Sequence, residues 1–283
     1  MRAPITELES AAVLARMLTL TALLAMTVTP SVLLAQSDST PPDTARVPWV
    51  THRNLVAFGG AVVATVALRP LDATISDEFA EPHWTNNHRV RDVTHDVALL
   101  GGDGPFVASA ALLAVSEAAH VDGLQRFAVH DMEAIAVATV ITGLGKGIFG
   151  RALPGVDARH QFQWGRGFHD SNGPFVSFPS GHTAAAFALS ATITGELEHA
   201  GYKRARTAGR LAFAAAGAVA VARVIQREHW PSDLPLAMAI GTWSGQAIQT
   251  HAGRPGKLGA VLRGLTAAPD FGHRERVGWT TQW

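Results

Sequence analysis

The chain of 283 residues contains no cysteine. That excludes disulfides, thiolate nucleophiles and zinc–sulfur sites at once. It also suits an exported protein, which then has no thiols to mispair. Charge is scarce: 16% of residues are charged, against roughly 25% in a typical soluble domain. The 23 Lys and Arg balance the 23 Asp and Glu, so no basic footprint for nucleic acid exists. Aromatic residues are few and alanine is abundant. Long apolar runs are missing beyond the N-terminal region, where no stretch reaches the ~18 residues of a clean membrane span. The best run, 211–222, is closed at both ends by Arg210 and Arg223. Two readings stay open: a helical bundle outside the membrane or at its surface, which the short runs favour, and a polytopic bundle with weak spans.

The N-terminal region is different. Arg16 precedes an almost wholly apolar stretch, 17–35, ending in Ala35. Residues 1–36 therefore read as an export signal or an uncleaved N-terminal anchor. The polar, proline-containing stretch SDSTPPDTAR makes 37–52 a linker. From there to 251 the apolar spacing is helical. It predicts helices from Asn54 to Leu68, Arg89 to Leu100, Pro105 to His120, Asp122 to Gly147, Ser180 to His199, Lys203 to Arg227, and from Trp230 to about Thr250. Residues 72–87 read as a loop or short helical turn. The fold expected is all-α, one bundle of about six core helices over 53–251. The tail, 252–283, alternates Val277, Trp279, Thr281 and Trp283 on one face, so it reads either as a short β-hairpin or as a frayed end.

Three clusters carry candidate chemistry. Lys146 closes an otherwise apolar helix, where a charge needs a partner; Arg151 and the pair Leu153-Pro154 follow it. Pro179-Ser180-Gly181-His182 opens the next helix. Ser180 stands at the N-cap, Gly181 lets a ligand approach the backbone, and the free N–H groups with the helix dipole favour an anion. His182 adds a titratable group there. In the third cluster Arg223, Arg227, His229 and Asp233 border the last helix. Pro231 suits a first helical position, so Asp233 falls in the first turn and can fold back on His229. That would fix the tautomer and leave the other ring nitrogen as a nucleophile. Singly, each cluster has an ordinary explanation: a solvated lysine, a helix cap, a structural ion pair. Of Arg223 and Arg227, at helical spacing, one reads as functional and the other as a surface residue.

Taken in order, the clusters resemble the signature of the type 2 phosphatidic acid phosphatase and vanadium haloperoxidase superfamily: K-x6-R-P, P-S-G-H and S-R-x5-H-x3-D. The second motif is complete. The third has Ala222 in place of serine, and the first has Leu153 in place of arginine. Losing one charge-assisted phosphate contact would cost on the order of 1.5–3 kcal/mol; Arg151 swinging inward is the expected compensation. The resemblance implies a phosphatase that needs no metal or cofactor. His229 would be the nucleophile, Asp233 its orienting acid and His182 the proton donor. Lys146, Arg151, Ser180, Gly181 and Arg223 would hold the phosphoryl oxygens. It further implies a phosphorylated substrate, plausibly lipid-linked (a phosphatidate or a polyprenyl pyrophosphate), membrane association or a periplasmic place, and an active site outside the cytoplasm. The alternatives are a vanadium-dependent haloperoxidase and a non-catalytic phosphate- or lipid-binding relative.

Overall fold

The computed structural model describes residues 48–156, 161–169 and 173–251. The leader at 1–36, most of the linker and the tail from 252 onward, with its hairpin alternative, lie outside the described residues. Within them the fold is helical, and no strand is formed; one isolated bridge pairs Arg151 with Phe162. Helix α1 is His52–Leu68, capped reciprocally by Thr51 and Asn54. Such a box satisfies donors that the first turn leaves free. Pro70 then breaks the helix, and a 3-10 turn, Arg69–Leu71, redirects the chain into α2, Asp72–Glu78. Residues 72–87, expected as a loop or short helical turn, are thus largely helical, with α3, Pro82–Thr85, following α2. Helix α4 is His88–Ala98 and α5 is Asp103–Ala119. Asp103 begins α5, so Pro105 sits within its first turn rather than at its first position. The long α6 is Asp122–Phe149, and α7 is Gly181–His199 with Ser180 as its N-cap. Helix α8 is Ala205–Ile225; a 3-10 turn, Pro231–Asp233, leads into α9, Leu234–His251.

Helix α7 is the axle of the bundle, packed against α6, α8 and α9. Alanine makes this possible. A Cβ on Gly241 would stand 2.1 Å from the Ala184 carbonyl oxygen, and one on Gly245 would stand 2.6 Å from the Ala191 Cβ. The α7 and α9 backbones therefore meet across small residues, which accounts for the alanine-rich, aromatic-poor composition. A larger core of Phe187, Phe213, Val219, Val224 and Met238 fills the side towards α8. This close packing brings the starts of α7 and α9 side by side, where the Ser180 N–H donates to the Asp233 carbonyl at 3.3 Å.

The outside of the bundle is apolar over long stretches. Three segments, His52–Glu78, Asp122–Phe149 and Ala205–Ile225, are long and apolar enough to cross a membrane. The bent pair α4–α5, with 49° between its halves, makes a fourth if it is one span. Val62, Val63 and Val66 on α1, Val140 and Leu144 on α6, and Leu211 on α8 are all exposed. Glycine, serine and threonine interrupt the apolar runs of these segments without making them polar.

Candidate active site

Four helix ends meet at one end of the bundle. The C-terminal turns of α6 and α8 bring Lys146 and Arg223. The start of α7 brings Ser180, Gly181 and His182, and the turn before α9 brings Asp233. Cations at helix C-termini and an open helix N-terminus are both favourable to the dipoles beneath them. Together they surround one point with positive potential. A Cβ on Gly181 would lie 3.6 Å from Lys146 Nζ, so the lysine reaches the first turn of α7. Arg223 Nη1 donates to Gln226 Oε1 at 2.7 Å, while its buried Nε has no hydrogen-bond partner among the described residues. Ser180 Oγ accepts from the Thr183 N–H at 3.4 Å and from Thr183 Oγ1 at 2.9 Å. With both lone pairs taken, its own O–H is left to donate.

His229 is buried. Its Nδ1 lies 2.7 Å from the Ser177 carbonyl oxygen. A carbonyl can only accept, so Nδ1 carries the proton and Nε2 keeps its lone pair. The expected partner Asp233 stands further off, its Oδ2 3.6 Å from the same nitrogen. Asp233 is occupied otherwise: Oδ2 accepts from Ser177 Oγ at 2.6 Å and from the Trp230 N–H at 2.8 Å. The 3-10 turn puts the carboxylate over its own N-terminus, and Ser177 comes between acid and imidazole. Asp233 thereby fixes the residue whose carbonyl fixes the ring.

Arg151 also departs from its expected role. It does turn inward and is fully buried, but two carboxylates claim it. Nη1 donates to Asp233 Oδ1 and to Ser232 Oγ; Nη2 donates to Asp72 Oδ2 at 2.5 Å. Its guanidinium lies over the Phe162 and Trp230 rings, 5.1 and 5.4 Å from their centroids. Both terminal nitrogens are thus engaged by carboxylates, while Nε has no hydrogen-bond partner among the described residues. Leu153 is half-buried, its N–H bonded to the Pro174 carbonyl at 2.8 Å.

Burial, then the charges of Arg223, His229 and Lys146, push the His182 imidazole down to about 3. His229 is likewise held below its ordinary value, chiefly by burial. Both rings are thus neutral in this arrangement at pH 7.

Residues 128–251 match the family model described as the PAP2 superfamily. Over this stretch the chain is similar to the PAP2 superfamily. No curated protein and no solved structure matches it. Every site residue expected from the PAP2 motifs falls within the matched stretch, and the structure gathers them at one end of the bundle. Three further residues come to the site without any motif to announce them. Ser177 supplies the carbonyl at His229, and Asp72 binds Arg151. Gly102 lies against His182: a Cβ there would be 2.6 Å from Nε2. Asp72 and Gly102 also precede the PAP2 match. Only the glycine-rich break at 101–104 carried a signal in the sequence, and it reads there merely as the end of a helix.

Proposed function

We propose that this protein is a phosphatase acting through a phosphohistidine. The observation that carries this reading is the His229–Ser177 bond, which leaves Nε2 as a free nucleophile beside Lys146 and Arg223. Nε2 attacks phosphorus and the P–O bond to the leaving group breaks. His182, having taken a proton from the bound phosphate monoanion, gives it to the departing oxygen. Water then attacks the phosphohistidine, with neutral His182 taking its proton; the P–N bond breaks and phosphate leaves. Lys146, Arg223, the Ser180 hydroxyl and the Gly181 N–H hold the phosphoryl oxygens, the electrostatic contribution that usually dominates such transfers. Arg151 assists from behind, by holding Asp233. Residues 53–251 form the catalytic domain.

The low affinity of His182 for a proton constrains the form of the substrate. Its ring is neutral beside two cations, yet it must donate. A phosphate monoanion brings both the missing proton and the charge that offsets those cations. On this reading kcat/KM falls above the second ionisation of the substrate, about 6 for an alkyl phosphate. Two aryl phosphates of different acidity, compared over pH 4 to 9, test this. The alkaline limb should move with the substrate; a flat profile, or a limb that ignores the substrate, counts against it.

A lipid-linked substrate is the favoured class, because the apolar flanks of α1, α6 and α8 would set the site at a membrane. The test is phosphate release from p-nitrophenyl phosphate, a phosphatidate and a polyprenyl pyrophosphate, by wild type and His229→Ala. The variant should lose at least a thousandfold, roughly the scale for a deleted nucleophile, and the lipids should be preferred. Equal activity of the two proteins would end the phosphatase reading. Vanadate-dependent bromide oxidation would replace it with a haloperoxidase. The apolar stretch at 17–35 supports an active site outside the cytoplasm, checked by protease access in intact and permeabilised cells; protection in both would refute it.

A further inference from the structure

Asp72 lies well before the PAP2 match, yet it is among the most completely buried acids in the molecule, 1% exposed. The break at Pro70 is what delivers it. After α1 the 3-10 turn swings the chain inward, so the first residue of α2 reaches the turn before α9. Its Oδ1 accepts from the Ser232 N–H at 3.0 Å, and Oδ2 accepts from Ser232 Oγ at 2.5 Å and from Arg151 Nη2 at 2.5 Å. The same guanidinium donates through Nη1 to Asp233. Asp233 in turn accepts from Ser177, whose carbonyl holds His229. One unbroken chain of contacts thus runs Asp72, Arg151, Asp233, Ser177, His229. It carries two buried acids on one buried base. A group of this kind is poor value for stability, since desolvation offsets most of its attraction and apolar side chains would serve as well. What it does supply is direction: Asp72 leaves Arg151 one orientation, and Arg151 leaves Asp233 one.

We infer that Asp72 is a positioning residue for the nucleophile, acting on His229 through Arg151 and Asp233 from outside the PAP2 segment. This rests on His229 being the nucleophile. Without the Asp72 carboxylate, Arg151 loses its second anchor and Asp233 gains rotational freedom. Ser177 then no longer presents its carbonyl at a fixed place, and His229 samples both tautomers. The groups facing His229 are Lys146 from α6, His182 from α7, Arg223 from α8 and Asp233. Removing one negative charge behind Asp233 makes the imidazolium less favourable, so the acid limb of activity should move to lower pH.

The test is Asp72→Asn, Arg151→Gln and the double variant in the full chain, with melting temperature recorded for each. Asp72→Asn should lower kcat roughly ten- to a hundredfold, the scale of a small misplacement of a reacting group, with KM changed less than threefold. The double variant should lose clearly less than the product of the two single losses, because Asp72 and Arg151 hold Asp233 together. ¹⁵N-imidazole spectra, with the His229 signal identified by its loss in His229→Ala, should show one tautomer in wild type and a mixture in Asp72→Asn. If Asp72→Asn does not fold, Asp72→Glu, which keeps the charge but shifts it, is read by the same measurements. Unchanged kcat and an unchanged His229 spectrum would overturn the inference, whatever happens to the melting temperature, as would fully additive losses. If wild type releases no phosphate, the phosphatase reading fails by itself, and the spectrum still decides whether Asp72 governs His229.

Discussion

His182 has a glycine for a neighbour because nothing larger fits. Gly102 has φ 59 and ψ −130, a conformation that side chains rarely adopt. A Cβ there would also stand 2.6 Å from His182 Nε2 and 3.0 Å from Cε1. Both penalties fall on the group assigned to move the proton. Gly102→Ala should therefore reduce kcat by at least tenfold, on the scale of general acid–base catalysis, roughly a hundredfold or more. Substrates with a good leaving group, which need little protonation, should be affected least. The measurement is kcat across a series of aryl phosphates, and a loss independent of leaving-group acidity would refute the assignment.

Among the elements, the end of α8 is unusual. It closes as a Schellman motif, with the Glu228 N–H bonded to the Arg223 carbonyl at 3.0 Å and the Arg227 N–H to the Val224 carbonyl at 2.9 Å. Arg227 occupies the left-handed position at φ 59, where glycine is usual. This turn carries the chain from Arg223 to His229. A side chain in that conformation costs roughly 1 kcal/mol. Arg227→Gly is expected to raise the unfolding free energy by about that amount, as measured by denaturant titration. Arg223 and His229 should stay in register, so activity should change less than threefold. A drop in stability would mean that the Arg227 guanidinium, which lies against Gly155, contributes more than the strain it imposes.

At the scale of the whole molecule, the two site histidines set an acid limit on stability. An unfolded histidine takes up its proton near 6.5, whereas His182 in the fold does so only at about 3. Between these values the unfolded state binds more protons, so stability rises with pH and falls on acidification. His229, also lowered, acts in the same direction. The melting temperature should fall steadily from pH 6.5 towards 4. In His182→Gln the fall should be shallower, since one of the two protons is no longer at issue. Identical slopes would show that His182 is not held neutral. Phosphate or vanadate between Lys146 and Arg223 should flatten the wild-type curve as well, because the anion raises the imidazole.

Much of this could be read without coordinates, for identifiable reasons. Helical spacing, the Ser180 cap and the breaks at Pro70 and Gly101 are local properties, and local chemistry is carried in the order of residues. The candidate site residues could be picked out because cations, a helix start and a histidine pair stand in a set order along the chain. What adjacency in sequence could not settle was partnership. Asp233 lies close enough in sequence to reach His229, but the 3-10 turn gives its shorter bonds to Ser177 and Trp230. Arg151 was free to turn inward, and did, but its partner Asp72 arrives from a distant helix. The sequence alone thus determined the helical class, the cap and which residues are candidates for a phosphoryl site. Tertiary structure alone decided which carboxylate holds which base, because buried charges pair with whatever the packing brings within reach.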